Sequence, residues 1–209
     1  MKQIARLLSA FLLAVIVSPA LAADPVYPPG VRIGMVPLVG LASARSFTGF
    51  ETEDHTVRVL VTELPAAAYS EVENTFKAGV PTNAGVKPET LETTAGKAYY
   101  TVETGRDGTT PVRRYSMILS GGTFSGFVAM QVPENAARIY SDDAVRQMFA
   151  SAAIRKDVPV AEQLGLLPFK TSELSDFKTV RTLAPGAAVM LADGNEESGI
   201  ETAPFMVLG

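Results

Sequence analysis

The chain has 209 residues, of which 47% are apolar and 19% charged, a composition that excludes disordered and collagen-like proteins and allows an ordinary core. Its formal charge is −4, and no run of lysine or arginine offers a basic surface, so nucleic acid is not expected as a partner. The chain has no cysteine and one histidine. This excludes disulfides, thiolate nucleophiles and metal sites built on two imidazole or thiolate ligands, and no cofactor is expected.

The first 22 residues have the three parts of a secretory leader. Lys2 and Arg6 form a positive start, Leu7–Val17 is apolar, and Ala20–Ala22 presents small residues at a cleavage point. The apolar run is shorter than the roughly 20 residues that cross a bilayer. We therefore predict a Sec-type signal peptide cleaved near Ala22, a periplasmic or extracellular protein, and no stable membrane insertion after cleavage.

Strands are predicted in the segment that follows the proline-rich lead-in. Apolar residues favour strands over Arg32–Val39 and Arg45–Phe50. Alternating valines at 57, 59 and 61 predict a clearer strand over His55–Glu63, with one buried face.

A helix is predicted directly after this strand. Pro65 suits the first helical turn and Gly79 suits the end. Tyr69, Val72 and Phe76 recur on one face, so that face is expected to pack on the sheet.

Four apolar segments separated by short turns predict an antiparallel meander between Lys87 and Val132. The reversals are marked by Ala95-Gly96, Asp107-Gly108 and Gly121-Gly122, since glycine supplies the positive φ angles of tight hairpins.

A second helix follows, with Ser141 as N-cap, Asp142 and Asp143 at the positive end of its dipole, and an apolar stripe that includes Val145 and Phe149. Helices thus bracket a block of sequential strands. This order predicts an α+β fold in which helices cover an antiparallel sheet.

The last part of the chain differs from the rest. A short helix is expected within Val158–Leu167, strands over Phe177–Leu183, Ala187–Leu191 and Pro204–Leu208, and an acidic loop over Asp193–Thr202. The sequence near Pro168 weakly resembles the segment of the first strands, which suggests an internal repeat. We therefore divide the chain into a signal peptide (1–22), an α+β domain (23–157) and an incomplete second repeat or β-rich extension (158–209).

Several short motifs resemble one fold family. They are Pro29–Pro37, Ser46–Phe50 before the valine strand, and Leu64–Tyr69 at the helix start. Together with the meander and the closing helix, they resemble the Mog1/PsbP-like α/β/α sandwich, and more narrowly secreted Gram-negative proteins of that type, over roughly residues 28 to 156. The resemblance implies a binding or assembly role and carries over no catalytic or ligand-binding residues.

Three motifs have some of the features of chemical sites. His55 lies among carboxylates in Glu51–His55, the setting of a general base, although a solvated turn is the favoured interpretation. Ser125 lacks the glycine spacing and the strand-to-helix turn of a nucleophile elbow. The acidic positions Asp193, Asn195 and Glu197 lack the remaining ligands of a calcium loop.

A partner-binding patch is predicted from Tyr99, Arg113 and Tyr115, because aromatic and arginine side chains often anchor interfaces. Ordinary cross-strand pairing is the alternative.

These observations favour a non-enzymatic exported protein that binds a protein or small molecule of the cell envelope. The alternatives are an envelope hydrolase that uses carboxylates and His55, and a truncated gene product without activity. Convergence of His55 and two carboxylates in one concave pocket is the geometric requirement of the hydrolase.

Overall fold

The computed structural model describes residues 23–79, 88–170, 177, 179–184, 187–191 and 205–208. The predicted signal peptide and the acidic loop at 193–202 lie outside these residues, so both stay predictions. Within the described ranges, no helix combines the length and the hydropathy needed to span a bilayer.

Seven antiparallel strands form the main sheet. They are β2 (Leu41–Ser43), β3 (Gly49–Thr52), β4 (Arg58–Pro65), β5 (Glu89–Thr93), β6 (Gly96–Asp107), β7 (Thr110–Ser120) and β8 (Phe124–Pro133). Their order across the sheet is β2-β3-β4-β8-β7-β6-β5, and the last four confirm the predicted meander.

Helices lie on both faces of this sheet. Helix α1 (Ala67–Lys77) packs on β7 and β8, and α2 (Asp142–Ala150) packs on the opposite face. A 3-10 turn (Glu134–Ala136) precedes α2. The predicted α+β class, an antiparallel sheet covered by helices, is confirmed.

The main core lies between the sheet and α2. Alternation places the valines at 59 and 61 of β4 and Val128 and Met130 of β8 on this face, all 2% exposed or less. Val145, Met148 and Phe149 of α2 close the core from the other side. The predicted N-cap is also found, since the Ser141 side chain accepts a hydrogen bond from the Ala144 N–H.

Two predicted strands differ from the structure. Only Ile33–Gly34 (β1) of the segment 32–39 is a strand, and it pairs with β9 (Ala153–Ile154), outside the main sheet. Pro37 has no N–H to donate, which prevents extension. The second strand begins at Gly49 instead of Arg45, because residues 44–48 turn and the Ala44 N–H bonds to the Gly49 carbonyl.

The C-terminal residues build a separate three-stranded sheet. It contains β10 (Thr179–Ala184), β11 (Ala187–Leu191) and β12 (Phe205–Leu208), and α3 (Val160–Leu164) packs on β10. Leu167, Val180 and Met190 form a small cluster of their own. The predicted short helix and three strands of this segment are therefore present, and its interpretation as an incomplete repeat or an extension stays a prediction.

An ion pair ties α3 to the N-terminal segment. Arg155 binds Glu162 and also donates to the Val31 carbonyl, while Glu162 accepts from the Gly30 N–H at 2.8 Å. Burial acts to raise the pKa of Glu162, but the hydrogen bonds and the charge of Arg155 outweigh it, so the pKa lies below its ordinary value.

Candidate functional site

Helix α1 covers only part of its face of the sheet. It lies over the end that carries Phe127, Ile118 and Tyr99, and the rings of Tyr69 and Phe76 contact Tyr99 at centroid distances of 5.5 and 5.0 Å. Beyond the helix, the same face forms a trough of about 840 Å³. Its volume lies in the range of small-molecule sites.

Two cross-strand rows form the floor of this trough. The register aligns Arg58 of β4, Gln131 of β8, Arg114 of β7 and Glu103 of β6 in the first row. The second row, nearer α1, contains Leu60, Ala129, Ser116 and Thr101. Because side chains alternate along a strand, all eight point to the same face as α1, in the part of that face that the helix leaves uncovered.

Hydrogen bonds fix the polar groups of the first row. Gln131 Nε2 donates to Asp107 Oδ2 at 2.9 Å, and Arg114 Nη2 donates to the Arg106 carbonyl at 2.8 Å. Arg114 lies across Gly105, where an added Cβ would stand 3.2 Å from its Nη1. The glycine thus leaves room for the guanidinium to lie along the sheet.

The second row carries a hydroxyl pair. Thr101 Oγ1 and Ser116 Oγ lie 2.6 Å apart, and each can donate to the other. Leu60 is 44% exposed at the same level of the sheet. The trough therefore offers charged groups, hydroxyls and an apolar side chain on rigid strands.

His55 stands at the rim of the trough. Its Nδ1 lies 2.7 Å from Glu51 Oε2, and its backbone has a φ of 57°. This left-handed conformation disfavours residues other than glycine. The carboxylate of Asp54 accepts hydrogen bonds from Thr52 and Thr56, which hold its pKa at about 2 and fix the turn.

His55, Glu103 and Asp107 all line the trough. The convergence required of the hydrolase alternative is therefore met for these residues. No described hydroxyl is hydrogen-bonded to the His55 ring, so the pair of His55 and Glu51 forms a base and its orienting carboxylate without a nucleophile beside them.

The predicted patch of Tyr99, Arg113 and Tyr115 does not form one exposed surface. Tyr99 faces α1 and Tyr115 faces α2, and both are 2% exposed. Arg113 shares the face of Tyr115, and both bind Asp142 at the start of α2. The error arose because residues of odd number on β6 and β7 do not share a face: Tyr99 is opposite Ile118 in the register.

Ser125 has a structural role. Its hydroxyl accepts from the Tyr69 N–H at 2.9 Å and donates to the Ala66 carbonyl at 3.1 Å, and the residue is fully buried. This contact holds the start of α1 on β8 and leaves no attacking hydroxyl there.

Arg58, Gln131, Arg114 and Glu103 were not among the predicted site residues. Polar residues at alternate strand positions were visible in the sequence, but only the register places them in one row. The acidic positions at 193–197 lie outside the described residues. In the part of the chain that the structure describes, no group of three or more His, Asp or Glu side chains is arranged to hold a metal ion.

Several solved structures are similar to this chain. A crystal structure from Bacteroides thetaiotaomicron VPI-5482 is 16% identical, with 65% of this chain and 49% of that chain covered and a TM-score of 0.45. The Ran-binding protein Mog1p of Saccharomyces cerevisiae is 15% identical, with 68% of this chain and 99% of that chain covered and a TM-score of 0.34. No family model and no curated protein matches the chain.

The sequence resembles the Mog1/PsbP-like sandwich, and Mog1p is among the similar solved structures. The chain spans about half the length of the Bacteroides protein. Both TM-scores lie below 0.5, and no conclusion about ligand or activity follows from either likeness.

Proposed function

We propose that this chain is an exported, non-enzymatic binding protein that holds an envelope component in the trough. The observation that carries the proposal is the uncovered part of the sheet face, where rows of hydrogen-bonding side chains stand on rigid strands. A sheet surface of this kind orients polar groups without moving them, as a binding site requires. Export rests on the leader predicted at residues 1–22.

The test of binding is to identify small molecules retained by the protein. The protein is purified natively from its own envelope fraction and denatured, and the released compounds are identified by mass spectrometry. The double variant Arg58→Ala, Gln131→Ala changes the floor of the trough. We expect a compound released by the wild-type protein and absent from this variant.

The matched control is Arg138→Ala, Gln147→Ala, which removes the same side-chain types from exposed positions outside the trough. The control should release the same compound as the wild type. A compound that both double variants retain would contradict the proposal that it binds in the trough. Recovery of the wild-type protein from the cytoplasmic fraction, with its leader intact, would contradict export.

A hydrolase is the second candidate, favoured by the pair of His55 and Glu51 at the rim. Glu51 binds Nδ1, which leaves Nε2 as the nitrogen that could take a proton from water. The test is hydrolysis of ester and amide substrates by purified protein, compared with His55→Ala. Turnover that His55→Ala abolishes would favour the hydrolase over the binding protein.

A further inference from the structure

A second cavity continues the trough beneath α1. It has a volume of about 360 Å³ and shares Thr101, Glu103 and Ser116 with the trough. A ligand can therefore occupy both spaces at once, with these three residues at the junction.

The inner cavity is mostly apolar. Its lining includes Leu64 of β4, Val72 of α1, Ile118 of β7 and Phe127 of β8. Its charged lining residues within the described chain are the carboxylates of Glu71 and Glu103. This end accepts a hydrophobic group, since burial of apolar surface is favourable there.

Glu103 at the junction and Arg114 beside it carry opposite charges but form no ion pair with each other. Glu103 and Arg114 are directly opposite in the register of β6 and β7. Glu103 forms no ion pair or side-chain hydrogen bond with any other described residue, and the described carboxylates form no ion pair with Arg114. Arg114 instead lies over Gly105 and donates to the Arg106 carbonyl.

The trough as a whole favours neither sign of charge. The charged residues of its floor and rim are Arg58 and Arg114 on one side of the balance and Glu103 and Asp107 on the other, and Arg58 Nε also lies 3.9 Å from Glu51 Oε2. A ligand with a single charge would therefore be attracted by one of these two pairs and repelled by the other. A ligand that carries both a positive and a negative charge can be attracted by both pairs.

We infer, on the basis of the proposed function, that the ligand is a small apolar zwitterion, of which an α-amino acid with a large side chain is the simplest example. Its ammonium group binds Glu103, its carboxylate binds Arg114, and its apolar side chain enters the cavity beneath α1. Directly opposed residues of neighbouring strands stand about 5 Å apart. The ammonium and carboxylate groups on one α-carbon can therefore reach Glu103 and Arg114 at the same time.

The test is an amide chemical-shift titration of the full chain with four probes: phenylalanine, N-acetylphenylalanine, phenylalaninamide and glycine. The N-acetyl probe lacks the ammonium, the amide lacks the carboxylate, and glycine lacks the apolar group. We expect saturable shifts at Thr101, Glu103, Arg114 and Ser116 with phenylalanine. Each of the other probes should bind at least about tenfold more weakly, as expected when one charge-assisted hydrogen bond or one buried ring is lost.

Variants assign each charge to its residue. Glu103→Gln should weaken the binding of phenylalanine at least about tenfold and should not weaken that of N-acetylphenylalanine, which has no ammonium group for Glu103 to bind and whose carboxylate Glu103 repels. Arg114→Gln should do the same with phenylalaninamide. Glu134→Gln and Arg138→Gln, exposed and outside both cavities, are the matched controls and should bind phenylalanine like the wild type.

Two outcomes overturn the inference and are distinguishable. Binding of N-acetylphenylalanine or phenylalaninamide as tight as that of phenylalanine, with shifts in the trough, would reject the zwitterion and leave the proposed binding function standing. Absence of saturable shifts with every probe up to about ten millimolar would reject the zwitterion. The proposed function would then depend on the compounds released from the natively purified protein.

Discussion

The buried hydroxyl of Ser125 holds the backbone of Tyr69, 56 residues earlier in the chain, at 2.9 Å. Tyr69 lies in the first turn of α1, where N–H groups have no partner inside the helix. The same hydroxyl donates to Ala66, the residue before the helix. A single side chain of the sheet thus positions the helix that divides the covered part of this face from the trough.

Replacement of Ser125 by alanine should lower the free energy of unfolding by about 1–2 kcal/mol, because the Tyr69 N–H and the Ala66 carbonyl lose the partner that the Ser125 hydroxyl supplies. Urea unfolding measures the change. Ser70→Ala, at an exposed position of α1, is the control and should stay within about 0.5 kcal/mol of the wild type. Equal stability of the two variants would mean that α1 is held by its aromatic contacts alone.

Replacement of His55 by glycine should leave the protein at least as stable as the wild type. The left-handed φ of 57° costs a non-glycine residue about 1 kcal/mol, and glycine removes this cost. His55→Val should instead lose about 1–2 kcal/mol, since a β-branched residue is poorly suited to this region. Thermal unfolding of the pair decides the point, and a glycine variant less stable than the valine variant would contradict the assigned turn.

Alkaline pH should weaken the contact between Tyr115 and Asp142. Burial, with the hydrogen bond to Asp142, raises the pKa of Tyr115 to about 12. An unfolded tyrosine titrates near 10. Between these values the unfolded chain releases a proton that the folded chain keeps, so stability falls as the pH rises.

Tyr115→Phe should therefore be less stable at pH 7 by about 1 kcal/mol and lose less stability than the wild type between pH of about 10 and 12. Denaturant midpoints across this range give both values. Tyr27→Phe is the control, since its hydroxyl has no hydrogen bond to a described residue. A pH dependence unchanged in Tyr115→Phe would show that other groups cause the alkaline loss.

Acid should loosen the link between α3 and the N-terminal segment. The pKa of Glu162 is lower in the folded protein, so its stabilisation is present above the unfolded value near 4.5 and is lost as the pH falls through the folded value. Glu162→Gln should remove about 1–2 kcal/mol at pH 7 and reduce the acid dependence. Hydrogen exchange of the amides in α3 measures the loosening, with Glu134→Gln as the control; equal exchange in the two variants would contradict the link.

Local signals in the sequence account for much of the fold. The meander from β5 to β8 was predictable because glycine turns and alternating side chains are properties of neighbouring residues. The cap of α2 by Ser141 was predictable for the same reason. These elements require no knowledge of distant pairing.

The trough could not be predicted, because it depends on pairing between distant segments. Arg58 meets Gln131 only through the pairing of β4 with β8, across more than seventy residues. The part of the sheet face that α1 covers depends on its contact with Ser125, and the position of the Arg114 side chain depends on Gly105. The short strand β1 likewise forms only because Ala153 and Ile154 return to it from the end of the main domain.

The most direct measurement of ligand binding in the trough is an amide chemical-shift map of the whole protein with the low-mass fraction of its own envelope extract. We expect saturable shifts confined to the rows of Arg58 and Leu60 and to the junction at Thr101 and Ser116, and their loss in Arg58→Ala, Gln131→Ala. Shifts confined to the α2 face or to the C-terminal sheet, or a map unchanged by the extract, would contradict binding in the trough.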